Sequence, residues 1–138
     1  TNEHVQMLTA TLPGSVDMLA ALEDPADTGQ SLERRARAYL DTNCASCHRP
    51  NGPVPTDLDL RAETALSATN ACDVTPTAGS LGIVDARLIA PGDASRSTIV
   101  DRMQRRDVHG MPPVGSNLVD NAGVTLVSNW IDQLQSCN

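Results

Sequence analysis

The sequence predicts an all-α chain with long loops. Three observations carry that expectation. Three stretches place apolar residues at helical spacing, each behind a side chain suited to capping. Prolines and glycines crowd the segments between them. No stretch alternates apolar and polar residues as a half-buried strand would.

Residues 1–30 read as an irregular lead-in or linker. Apolar clusters at 5–12 and 16–22 are split by Pro13-Gly14, and Asp24-Pro25 and Gly29 make a turn-rich exit, with room for one or two short helical turns. Residues 31–138 form the domain. Ser31 is an N-cap and Glu33 an acidic first-turn residue for a helix reaching about Asn43, with Leu32, Ala36, Tyr39 and Leu40 on one side. Pro50, Gly52, Pro53 and Pro55 make the next segment loop. A short, poorly periodic helix is expected over 61–71, and 72–94 is turn-rich apart from the apolar stretch 81–89. Ser95 or Ser97 caps a helix carrying Ile99, Val100 and Met103, and 110–115 is a constrained loop. Asp120 caps the last helix, which lines up Val124, Val127, Trp130, Ile131 and Leu134.

At 138 residues the chain is long enough for one core. That core is lean: 40% of residues are apolar, and Tyr39 and Trp130 are the sole aromatics. A chain so short of large side chains can still close a core around a large apolar cofactor. The net charge of −7 argues against nucleic-acid binding. Its arginines at 34, 35, 37 and at 102, 105, 106 stand beside acidic residues, as on a solvated face. No apolar run approaches the roughly 18 residues of a transmembrane helix. The opening Thr1, Asn2, Glu3, His4 does not read as a secretion leader, as expected of a mature chain or an excised domain.

Cys44-Ala45-Ser46-Cys47-His48 is a C-x-x-C-H, the attachment signature of haem c. Two thiols one helical turn apart can each add to a vinyl group on one porphyrin edge. The next residue then offers an imidazole to the iron. A thioredoxin-like redox pair would need a βαβ setting, which is missing around it. A zinc site would need a second ligand pair, and the sequence offers none.

Over residues 32–137 the chain resembles the class I c-type cytochromes. The resemblance rests on the helix running into Cys44, on Met111-Pro112-Pro113, and on a last helix with Trp130. It is closer still to bacterial domains that read Tyr-Leu-Asp-x-Asn-Cys, Cys-His-Arg-Pro, Ala-Pro-Gly-Asp, Met-Pro-Pro and Asn-Trp-Ile, here at 39–44, 47–50, 90–93, 111–113 and 129–131. Such domains are fused to, or paired with, secreted quinoprotein-type sugar dehydrogenases. The resemblance implies that the first and last helices cross and pack around a single covalent haem c. It also implies electron transfer rather than catalysis, and a periplasmic or secreted location. The expected redox partners are a dehydrogenase donor and a cytochrome, oxidase or copper-enzyme acceptor. The stretch from Leu60 to Ile89 exceeds a minimal member of the family, so its path is left open.

His48 is the expected first axial ligand and Met111 the second, since Pro112 biases Met111 towards an extended backbone. His109 is the rival for the sixth position, while Met103 reads as core and Met7, Met18 and His4 as bystanders. In the family a proline carbonyl orients the proximal histidine, which points to Pro53 or Pro55. Arg61 and Arg87 are either propionate partners or surface arginines. Cys72 and Cys137 remain once haem is attached. In an oxidising compartment they are expected to pair, closing a loop of about 65 residues worth about 4 kcal/mol; the alternative is two free buried thiols. The competing functions are a haem enzyme or gas sensor with a labile sixth ligand, and a docking module with a structural haem.

Overall fold

The first helix, α1, runs Leu32–Leu40 in the computed structural model, which describes residues 21–115 and 117–138. Ser31 caps it as expected: its hydroxyl accepts the Arg34 N–H at 3.2 Å, satisfying a donor that the first turn leaves free. Glu33 and Arg37 lie at the helix ends where their charges oppose the helix dipole. The helical path does not stop at Leu40. One wider turn, Asp41–Ala45, carries it through Cys44. The short turns expected before residue 21 lie outside the described residues.

The helix expected over 61–71 shrinks to a single tight turn, Leu66–Ala68. A remote side chain explains the loss. Arg37 Nη2 donates to the carbonyls of Arg61 and Thr64 at 2.6 and 2.5 Å, and Ala65 is extended (φ −54°, ψ 140°). Carbonyls taken from outside leave the local backbone less to gain by coiling. The following segment returns against the chain: Ile89 N–H donates to Ala71 O at 3.1 Å and Asp73 N–H to Ile89 O at 2.8 Å. These contacts make one isolated bridge, Cys72 with Ile89; Arg87 with Ser97 makes a second, and no β-sheet forms among the described residues. The stretch left open by the sequence is therefore structured, and it contributes Leu60, Ala71 and Ile89 to the core at 2, 0 and 0% exposure.

Helix α2 spans Thr98–Gln104 and helix α3 spans Asn121–Gln133. Ser97 holds the cap position of α2, but its buried hydroxyl serves the preceding loop, accepting from Ala90 N–H and donating to Asp93 O. Asp120 caps α3 by accepting the Gly123 N–H at 3.0 Å. The buried side of α3 carries Val124, Leu126, Val127, Trp130 and Ile131. Both α1 and α2 pack on α3, while the Cα atoms of α1 and α2 stay more than 8 Å apart.

The α1–α3 contact expected from the resemblance is present, and it turns on one glycine. A Cβ at Gly123 would lie 2.1 Å from Cζ of Tyr39, so the Tyr39 ring occupies the space of a missing side chain. The Tyr39 hydroxyl then donates to Asp120 Oδ2 at 3.0 Å. Cys72 and Cys137 form a disulfide, with Cα atoms 5.7 Å apart, tying the 60–89 stretch to the chain end beyond α3. Among the described residues no helix is long and apolar enough to cross a membrane.

Candidate functional site

The gap between α1 and α2 is a cleft of about 460 Å³, within the range of cofactor sites. The end of α1, Met103 of α2, Val124 of α3 and the 111–115 loop form its walls. Cys44 reaches it from the wide turn after α1. Cys47 and His48 follow in a coil whose N–H groups both return to the Cys44 carbonyl, at 3.1 and 2.8 Å. That coiling turns the three side chains onto one wall of the cleft. Gly52 makes it possible, because a Cβ there would fall 2.3 Å from the Cys47 carbonyl oxygen.

Met111 comes from the opposite end of the sequence to the same cleft. Its N–H donates to Arg102 O at 2.9 Å, which pins the loop to the end of α2. The approach is close enough that a Cβ on buried Gly110 would meet Arg105 O at 2.6 Å. Met103 is core, as expected, yet it also lines the cleft. His109 is exposed and stands outside the lining. His4, Met7 and Met18 lie outside the described residues.

Electrostatics separate two kinds of cysteine chemistry. Burial, with the neighbouring Cys47, pushes the Cys44 thiol up to about 11. A nucleophilic redox cysteine needs the reverse shift. Burial first, and then the positive charge of Arg102, lower the His48 imidazole below its ordinary value, which favours the neutral ring. Cys44 and Cys47 form no disulfide, whereas Cys72 and Cys137 are bridged. Among the described residues, no three His, Cys, Asp or Glu side chains converge as a metal-ion site.

Some expected partners stand elsewhere. His48 Nδ1 is buried without a hydrogen bond, so neither Pro53 nor Pro55 supplies it with a carbonyl. The loop turns on itself there, with Thr56 N–H donating to Val54 O at 2.9 Å. Arg61 is held by Asp59 and Glu63 at 2.7 and 2.8 Å, and Arg87 by Asp73 at 2.9 Å; neither lines the cleft. The arginine that does is Arg106. It braces the loops through Met103 O and Leu118 O, and its Nε is buried without a partner. Nothing local in the sequence sets it apart from the other arginines.

No protein-family model matches the chain, and neither the curated proteins nor the solved structures include a significant match to it.

Proposed function

We propose that residues 31–138 form an electron-transfer domain of the class I c-type cytochrome kind. It holds one haem c by thioethers at Cys44 and Cys47, with His48 and Met111 as axial ligands. The observation that carries this reading is convergence: these four side chains, from two distant parts of the sequence, line one cleft. Bound there, haem c supplies one-electron exchange between Fe(III) and Fe(II).

The residues around the cleft fit such a group. The space lies between the end of α1, Met103 of α2 and the 111–115 loop, in a chain with only two aromatics to fill its core. Burial that disfavours a Cys44 thiolate does not disfavour an uncharged thioether. A lowered imidazole keeps a ring nitrogen free for a metal at neutral pH. Arg106 is the arginine on hand for a propionate, with its Nε lacking a partner. Val114, on the cleft wall and 78% exposed, offers an apolar contact for a redox partner at the cleft mouth.

Two axial side chains leave the iron no vacancy, which favours a relay over ligand chemistry. The reading therefore places the domain between a secreted dehydrogenase and a cytochrome, oxidase or copper enzyme. The Cys72–Cys137 disulfide supports an oxidising, periplasmic or extracellular setting.

The test is covalent attachment. Produced in a host that matures c-type cytochromes, the chain should keep its haem through acid–acetone extraction. Cys44→Ala with Cys47→Ala should abolish retention. Haem that extracts freely from the unaltered chain would refute the proposal.

A further inference from the structure

Asn51 and Gly52 form the one Asn-Gly pair in the sequence. Glycine carries no Cβ, so its backbone nitrogen is the easiest for a preceding asparagine side chain to meet. Asn51 is exposed. The amides of Asn43 and Asn70 are tied down, donating to Tyr39 O at 2.8 Å and to Asp57 O at 3.0 Å, whereas the Asn51 amide has no such bond among the described residues. The fold closes a turn over the pair. Gly52 N–H donates to Arg49 O at 2.9 Å, with Pro50 presetting the bend and Asn51 at φ 59°. Gly52 is also wedged against the chain before it: a Cβ there would fall 2.3 Å from Cys47 O and 2.9 Å from Arg49 O.

The reaction open to such a pair is deamidation. Gly52 N gives up its proton and bonds to Asn51 Cγ, and the bond from Cγ to the amide nitrogen breaks to release ammonia, leaving a succinimide ring. Water then opens the ring at either carbonyl, giving aspartate or isoaspartate, in which the main chain runs through Cβ and Cγ. The closed turn opposes the first step twice. The proton that must leave is held by Arg49 O, and the nitrogen has no room to swing towards the side chain. Conversion therefore runs through the opened turn, at a rate set by how often the turn opens. Isoaspartate adds a carbon to the main chain between the Asn51 Cα and Gly52 N, and the tight seat of Gly52 against Cys47 O has no space for it.

We propose that Asn51 is a deamidation site that the closed 49–52 turn holds off, and that its isoaspartyl product leaves the turn open. The product thereby loosens the coil that carries Cys47 and His48, whatever the cleft holds.

The experiment follows the full chain at mildly alkaline pH, with and without denaturing urea, and measures aspartyl and isoaspartyl residues at position 51 by peptide mapping. In urea Asn51 should convert. In the native chain it should convert at least about tenfold more slowly, because the turn opens rarely. Pro50→Gly, which frees the bend, should speed conversion in the native chain and leave the rate in urea about the same. The isoaspartyl chain, isolated and returned to native buffer, should exchange its Gly52 N–H with deuterated solvent faster than the unaltered chain, while the amides of α3 stay protected. Equal rates with and without urea, an Asn51 that stays intact in urea, an unaltered native rate in Pro50→Gly, or equal Gly52 exchange in the isoaspartyl chain would overturn the proposal.

Discussion

Met103 and Met111 reach the same cleft from different kinds of backbone. Met103 sits inside α2 at 7% exposure, packed into the core cluster, so its thioether has neighbours on most sides. Met111 is half-buried in a loop held by its own N–H to Arg102 O, with Gly110 pressed against the end of α2. Such a loop presents a long side chain without giving up core packing. Under the proposed function, Met111→Ala leaves haem attached, abolishes the long-wavelength Met–Fe(III) charge-transfer band and lowers the reduction potential. Met103→Leu, which roughly conserves volume, keeps the band and costs under about 1.5 kcal/mol of stability. Absorption spectra and redox titration of the two variants decide between them. If Met103→Leu is the one that loses the band, the ligand assignment moves to Met103. The Cys44–His48 pattern could be read in the sequence because it lies in five contiguous residues. The cleft-facing arginine could not. Arg61, Arg87 and Arg106 look alike in one dimension, and nearby carboxylates that claim the first two sort them only after folding.

The helices themselves divide by how local their causes are. Ser31 and Asp120 cap α1 and α3 through N–H groups three residues ahead, so both starts could be read from the sequence. The 61–71 helix failed because Arg37, far upstream, takes two of its carbonyls, and no local periodicity encodes that. The packing of α1 on α3 was expected from the resemblance, but its pivot is a glycine. Gly123 stands inside α3, where an exposed glycine replaced by alanine would gain about 1 kcal/mol of helix propensity. Here the added Cβ would lie 2.3 Å from the Tyr39 hydroxyl, which is itself held by Asp120. Gly123→Ala is therefore expected to destabilise, by about 1–3 kcal/mol, as overpacking does. Adding Tyr39→Leu should recover part of that loss, because the smaller side chain vacates the space. Urea unfolding of the single and double variants measures the coupling. A Gly123→Ala chain that is more stable than the unaltered one would mean the ring does not sit there.

At the scale of the whole molecule, α3 is the element on which both other helices pack, and all three contribute to the cleft wall. The long stretch from 60 to 89 packs the core away from that cleft: none of its residues lines it, although Leu60, Ala71 and Ile89 are almost fully buried. The Cys72–Cys137 bridge holds this stretch to the far end of the chain across a sequence separation of 65. In the chain-entropy view, closing a loop of that length stabilises by about 4 kcal/mol, chiefly by restricting the unfolded chain. Typical domains are stable by only about 5–15 kcal/mol, so the bridge is a large share of what keeps this lean core folded. Its removal should thus act on stability and leave the cleft unaltered. Cys72→Ala with Cys137→Ala should lower the urea midpoint by an amount equivalent to about 4 kcal/mol, while the folded, haem-loaded variant keeps its absorption spectrum and potential. An unchanged midpoint would show that the bridge closes a loop already ordered in the unfolded chain. A changed spectrum at full folding would show instead that the 60–89 stretch transmits strain to the proposed ligands, His48 and Met111.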